Sequence, residues 1–140
     1  MKKIIVAGYY GYQNSGDDAI LHSICYDIRQ LDFETSITVL SNQPDITKRE
    51  YGVNSVNRFD FRQVKKEIKK ADVVVMGGGS LIQDLTSTRS LYYYLALLWM
   101  AKWYKKEVML YGNGIGPIKK WYNIPLTRLT LNQVDIITLR

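Results

Sequence analysis

Short, β-branched and almost continuously apolar runs alternate with helical patterns along this chain. Lys3–Gly8 (KIIVAG), Ser36–Ser41 (SITVLS), Ala71–Met76 (ADVVVM), Glu107–Tyr111 (EVMLY) and Val134–Leu139 (VDIITL) lack the polar alternation of a half-solvated strand. They read as strands buried on both faces of a parallel sheet. Helical spacing fills the gaps. Asp17–Leu31 places Ile20, Ile24, Ile28 and Leu31 on one face, and Phe61–Lys70 turns Phe61, Val64 and Ile68 inward. Ser90–Tyr104 and roughly Lys120–Asn132 complete the set. Strand, helix, strand, repeated, predicts βαβ units with right-handed crossovers. The expected fold class is therefore α/β: a doubly wound, mostly parallel, Rossmann-like sheet. Gln43–Arg58 is the least regular stretch and reads as a loop with a short strand near Val53–Phe59.

A length of 140 residues with 46% hydrophobic content suits one domain with a real core. A lone cysteine, Cys25, excludes an intramolecular disulfide framework and a multi-cysteine zinc site. The longest apolar run, Leu91 to Ala101, is eleven residues, against the ~18 a membrane span needs. The apolar stretch after Met1-Lys2-Lys3 is too short for a signal-peptide core. A cytoplasmic protein is the expectation. The last strand runs straight into Arg140, where an open α/β sheet would begin its ligand-binding loop. The chain is thus expected to be a single domain, residues 1–140, of a longer protein.

The net charge of +6 is unevenly placed. Residues 1–60 carry six bases and eight acids, whereas residues 61–140 carry thirteen bases and five acids. Arg62, Lys65, Lys66, Lys69 and Lys70 form the densest cluster. Such a stripe suits anionic lipid headgroups or nucleic acid. It also suits the solvated face of an amphipathic helix. No nucleic-acid motif accompanies it, so no nucleic-acid partner is expected.

Three predicted strands run directly into glycine-rich turns. These are residues 8–18 (GYYGYQNSGDD), residues 77–84 (GGGSLIQD) and residues 112–117 (GNGIGP). All three belong at the carboxyl edge of the sheet, where such folds bind ligands. Neither G-x-G-x-x-G nor G-x-x-x-x-G-K-[ST] is present, and no acid ends the second strand to hold an NAD ribose. Asp17 and Asp18 open a helix that Ser15 could cap, which makes that helix start a poor phosphate site. A polyhydroxylated ligand, bonded by Gln13, Asn14 and the two carboxylates, fits it better. The Gly77-Gly78-Gly79-Ser80 turn meets no acid before Asp84 and could hold an anion.

His22 and Cys25 share a helical face, but no third group orients them for nucleophilic catalysis. With a single histidine in the chain, no histidine-based metal site is expected. Ser90–Tyr104 is apolar nearly all round, including Tyr92-Tyr93-Tyr94, Trp99 and Trp103. A helix of that kind is sandwiched against the sheet, packs on a second copy or touches a membrane interface.

The three turns, read as GYYGYQNSGDDAIL, GGGSLIQD and GNGIGP, resemble successive motifs of the polysaccharide pyruvyltransferase family, and Ile137-Thr138-Leu139-Arg140 resembles its next strand. Bacterial CsaB-type members are the most similar in pattern. The resemblance implies the N-terminal, acceptor-side half of a two-domain enzyme similar to GT-B glycosyltransferases. Such enzymes move a pyruvyl group from phosphoenolpyruvate onto a sugar as a cyclic ketal. For CsaB-type members that sugar is an N-acetylmannosamine of a lipid-linked cell-wall precursor, and the ketal serves S-layer anchoring. The implied donor is phosphoenolpyruvate, with no further cofactor and no metal. A lipid-borne acceptor would bring the protein to the inner face of the membrane. Within this chain the resemblance implies Asp17 and Asp18 as catalytic candidates, with substrate contacts from Gly11, Asn14, Gly16, Gly77, Gly78, Gly79, Ser80, Gln83, Asp84, Asn113 and Gly114. Arg140 is the implied donor-anion contact. Two other classes stay open: the acceptor domain of a glycosyltransferase using a nucleotide sugar, and a non-catalytic assembly module associating through helix 90–104.

Overall fold

The computed structural model describes residues 2–32, 34–85 and 87–139, without the side chain of Leu139. Six strands form one parallel sheet: β1 (Lys3–Ala7), β2 (Ser36–Ser41), β3 (Asn54–Asn57), β4 (Val73–Gly77), β5 (Glu107–Asn113) and β6 (Ile136–Leu139). Their spatial order is β3-β2-β1-β4-β5-β6. The register pairs Ile5 with Thr38 on one side and with Val74 on the other. Order reverses between β1 and β4, and ligands bind such sheets in the crevice beyond the carboxyl ends at that point. The α/β, Rossmann-like expectation is met.

Helices α1 (Ser15–Leu31) and α2 (Pro44–Tyr51) cover one face. Their layer closes over Val6, Val39, Leu21, Ile24 and Cys25. Helices α3 (Phe61–Lys70), α4 (Thr88–Trp103) and α5 (Asn123–Leu131) share the larger core on the opposite face. Helix α2 lies in the stretch expected to be irregular. Pro44 at its first turn and Gly52 at its left-handed C-cap are the local signals for it. The short strand expected near Val53–Phe59 is β3.

Several expected facings change. Leu31 is 89% exposed and Phe61 52%. Each sits in a terminal turn of its helix, and Phe61 lies instead against the Tyr93 ring at 6.1 Å. Helix α1 begins two residues before the expected Asp17. Its N-cap is Asn14 rather than Ser15: the Asn14 side chain accepts from the Gly16 and Asp17 amides. Helix α4 buries Leu91, Tyr94, Leu95, Leu97, Leu98 and Ala101 and leaves Tyr92, Trp99 and Trp103 exposed. Among the described residues, no helix is long and apolar enough to cross a membrane.

Candidate functional site

The three glycine-rich turns meet at the carboxyl edge around the β1/β4 reversal. Tyr10, fully buried in the first turn, donates its phenolic hydrogen to the Gly77 carbonyl at 2.8 Å. Burial, followed by the charge of Asp17, pushes its pKa far up, so the phenol stays a donor. This bond pins the first turn to the second. The second and third turns run side by side. Gly78 N donates to Tyr111 O at 2.8 Å, Gly114 N to Gly79 O at 3.0 Å, and Ile82 forms a parallel bridge with Ile115. The result continues the sheet beyond β4 and β5.

The candidate residues take distinct positions within this frame. Asn14 is occupied in capping α1, at 3.1 Å from the Gly16 amide and 3.4 Å from that of Asp17. Asp17 and Asp18 point to different places. A Cβ built on Gly79 would stand 3.2 Å from an Asp17 carboxylate oxygen, so Asp17 overhangs the second turn. Asp18 instead lines a hollow of about 370 Å³ between α1 and α2, with Gly11, Gln13, Thr47 and Tyr51. Gly77 and Gly78 lie beneath α1: Cβ atoms there would meet Ile24 and Ile20 at 2.3 and 2.2 Å. Gly79 and Ser80 are more open.

Two further candidates hold the chain to itself. Both Asp84 carboxylate oxygens are engaged, accepting from Lys119 N (2.7 Å), Lys120 N (3.0 Å) and Asn123 Nδ2 (3.0 Å). The Asn123 bond, then the two backbone amides, hold its carboxyl below the usual range. Asn113 is fully buried and donates Nδ2 to Met76 O at 2.8 Å, tying β5 to β4. Its Oδ1 has no partner among the described residues. Gln83 accepts from the Leu85 amide at 2.7 Å. Gly16 lies in the first turn of α1. Arg140 lies outside the described residues.

Sequence reasoning passed over Arg58. It follows β3, is 3% exposed, and donates to Gly8 O (3.3 Å) and Tyr94 Oη (3.2 Å). Its guanidinium carbon lies 4.5 Å from the Tyr93 ring centre, 5.1 Å from Phe59 and 5.4 Å from Tyr12. Tyr9 and Tyr12 stack on each other at 4.1 Å beside it. Burial alone lowers the Arg58 pKa, but the phenols of Tyr94 and Tyr93 outweigh it, so the group stays charged. Cation–π contact and the two hydrogen bonds replace part of its lost water, while its buried Nε has no partner among the described residues. The only signal in the sequence was an arginine among tyrosines that are distant along the chain.

His22 is exposed and Cys25 is a buried free thiol. Burial pushes the Cys25 pKa up, the opposite of what a nucleophile needs. Among the described residues, no group of three or more His, Cys, Asp or Glu could hold a metal ion. A hollow of about 320 Å³ lies over Ala19, Ile20, Ser23, Gly78, Tyr111 and Gly112, beside the turns. Another of about 310 Å³, near Lys3, Thr38, Gln63 and Lys70, contains none of the candidate residues.

Fold and site together define a Rossmann-like domain with a glycine-turn cleft at its topological switch point. A family model described as polysaccharide pyruvyl transferase matches residues 14–140. The chain belongs to that family. No curated protein gave a significant match. Among solved structures, the crystal structure of S. aureus homoserine dehydrogenase at pH 6.0 is similar over 99% of this chain, at 15% identity and a TM-score of 0.47. The chain covers 33% of that protein's length.

Proposed function

We propose that this chain is the acceptor-side domain of a CsaB-type polysaccharide pyruvyltransferase, facing a donor-side domain across the glycine-turn cleft. The observation that carries this reading is the family match over residues 14–140, which spans the second and third turns and the last five residues of the first. In the reaction, a general acid delivers a proton to the methylene carbon of phosphoenolpyruvate, and the C=C pair forms the new C–H bond. An oxocarbenium-like centre results. One sugar hydroxyl adds to it and loses its proton. The C–O bond to phosphate then breaks, the phosphate leaving with the bonding pair, and a second hydroxyl closes the ketal and loses its proton. Fixed positive charge stabilises the departing phosphate.

Asp17 has the better position to hold or deprotonate an acceptor hydroxyl, since it overhangs Gly79 while Asp18 faces the α1–α2 hollow. Gly79, Ser80 and Gly114 would shape the sugar-facing wall, and Arg140 would contact the donor anion. The test incubates the complete enzyme with an N-acetylmannosamine-bearing acceptor and either phosphoenolpyruvate or nucleotide sugars. Phosphate release with ketal formation is expected only with phosphoenolpyruvate. Asp17→Asn should lower turnover by about a hundredfold or more, and Asp18→Asn by only a few-fold. Glycosyl transfer from a nucleotide sugar, or full activity of D17N, would overturn the reading.

A further inference from the structure

The outer surface of the α3–α4–α5 layer is built unlike the rest of the molecule. Helix α5 is turned inside out. It buries Asn123, Thr127 and Thr130 and exposes Ile124, Leu126 and Leu129. The buried polar groups explain the orientation: Asn123 donates to Asp84, and Thr130 accepts from Trp99 Nε1 at 2.7 Å. Those bonds hold the polar side against α4, so the aliphatic side faces out. A helix in an aqueous surface layer normally does the reverse.

The same surface holds all three tryptophans of the chain. Trp103 is 81% exposed and Trp121 78%, with Trp99 partly open between them. Pairing of Tyr92 with Asn123 and of Trp99 with Thr130 sets α4 and α5 parallel and in contact, so these residues belong to one helical layer on the same side of the sheet. Bases surround it. Lys105 and Lys106 follow Trp103, Lys119 and Lys120 precede Trp121, and the five exposed bases of α3 flank α4. Lys69 joins the two helices by lying 5.2 Å from the Tyr104 ring centre. Of the acids nearby, Asp84 is bonded to the 119–123 segment and Asp135 to Lys102 at 2.8 Å, and Glu67 and Glu107 are outnumbered by the bases beside them.

We infer that the α3–α4–α5 face is a peripheral docking surface for an anionic phospholipid bilayer, with Trp103, Trp121 and Leu129 entering the interface and the lysines meeting headgroups. Indoles favour the boundary between headgroups and acyl chains, and lysines near a negative surface add attraction. Charge argues against a second copy on this face. A two-fold contact sets the same patch against itself, which would oppose lysine to lysine. Nucleic acid would match the charge but leave Ile124, Leu126 and Leu129 without a function. The inference does not depend on the reaction proposed above.

The test uses the chain with vesicles of phosphatidylglycerol in phosphatidylcholine, compared with phosphatidylcholine alone. Because every tryptophan lies on this face, indole emission reports it directly. The expected result is co-sedimentation with the anionic vesicles and a blue shift of emission, both lost as salt rises from about 0.1 M to about 1 M. Trp103→Ala and Trp121→Ala should each weaken binding by about tenfold. Each lysine of Lys65, Lys66 and Lys69 replaced by Gln should weaken it by about fivefold. Circular dichroism confirms that these surface variants stay folded. No partitioning onto anionic vesicles would overturn the inference. So would binding that the tryptophan and lysine variants leave unchanged, an equal affinity for single-stranded DNA, or a blue shift produced by self-association without lipid.

Discussion

Gly78 and Gly112 form a matched pair whose substitution by alanine separates backbone conformation from packing. Both have left-handed φ values, +68° and +62°. A Cβ on Gly112 meets nothing within 4 Å, whereas one on Gly78 stands 2.2 Å from Ile20 Cγ2 and 2.8 Å from its Cδ1. Alanine in the left-handed region costs about 1–2 kcal/mol, offset by roughly 0.4–1 kcal/mol from the stiffer unfolded chain. G112A is therefore expected to lose about 1 kcal/mol. G78A carries the same conformational cost and adds an overpacking cost of roughly 1–3 kcal/mol. Ile20 cannot swing aside cheaply, because its β-branched carbon holds χ1 in one well on a helix. The total for G78A is about 3 kcal/mol, and its melting midpoint should fall roughly 6 °C further than that of G112A. Urea and thermal unfolding followed by circular dichroism measure both. Ile20→Ala removes the two closest contacts, so G78A with I20A should lose about 1–2 kcal/mol less than the separate losses combined. Equal losses for the two glycine variants, or strict additivity with I20A, would refute the view that Gly78 exists to let α1 approach β4. The glycine would then be free for ligand access alone.

Arg58→Ala should destabilise the chain by about 3 kcal/mol, because it empties an aromatic cage and leaves the Gly8 carbonyl and Tyr94 hydroxyl short of a partner. Denaturant midpoints for R58A and R58K check this, and R58K should recover only part of the loss. Cys25 should resist a thiol reagent at mildly alkaline pH in the native chain and react fully in urea, since burial both shields it and raises its pKa; rapid native labelling would contradict that. Asp84 has a folded pKa below its unfolded one, so its stabilisation is present above the usual carboxylate pKa and fades as pH falls through the folded value. Asp84→Asn should accordingly be less stable at neutral pH, and the gap to the parent chain should close on acidification below about pH 4; a constant gap across that range would show that the charge is not what matters.

The alternation of apolar runs with helical spacing specified the α/β class and nearly every element, because both patterns are local and the central strands β1, β2 and β4 are largely buried on both faces, although β6, expected to be buried likewise, exposes Ile136 and Ile137 at the sheet edge. Family membership was readable for the same reason: its motifs are contiguous turns. Helix α2 escaped notice since Pro44–Tyr51 buries only Thr47 and so carries no apolar stripe. Helix α5 was legible as a helix but not in its orientation, which depends on Asp84, Tyr92 and Trp99 contributing bonds from other elements. The divergence of Asp17 and Asp18 arises in the same way. Adjacent residues on a helix point about 100° apart, and only the placement of α1 over Gly78 and Gly79 says which one meets the cleft.

The charge asymmetry shows the division most plainly. Along the chain it is an acidic first part and a basic second part. The crossover from β3 through α3 to β4 turns it into two opposite faces. Asp18, Asp27, Asp32, Asp45 and Glu50 outnumber Arg29, Lys48 and Arg49 beside α1 and α2, and the lysine-rich helix α3 lies on the other side. Arg58 gathers five rings contributed by Tyr9, Tyr12, Phe59, Tyr93 and Tyr94. Sequence alone determined which residues are apolar, which turns need glycine and where most helices lie to within a few residues, since those depend on neighbours a few positions away. The cage, the cleft and the two charged faces were decided by tertiary structure, since strand order and crossover hand bring together groups whose separation along the chain carries no signal.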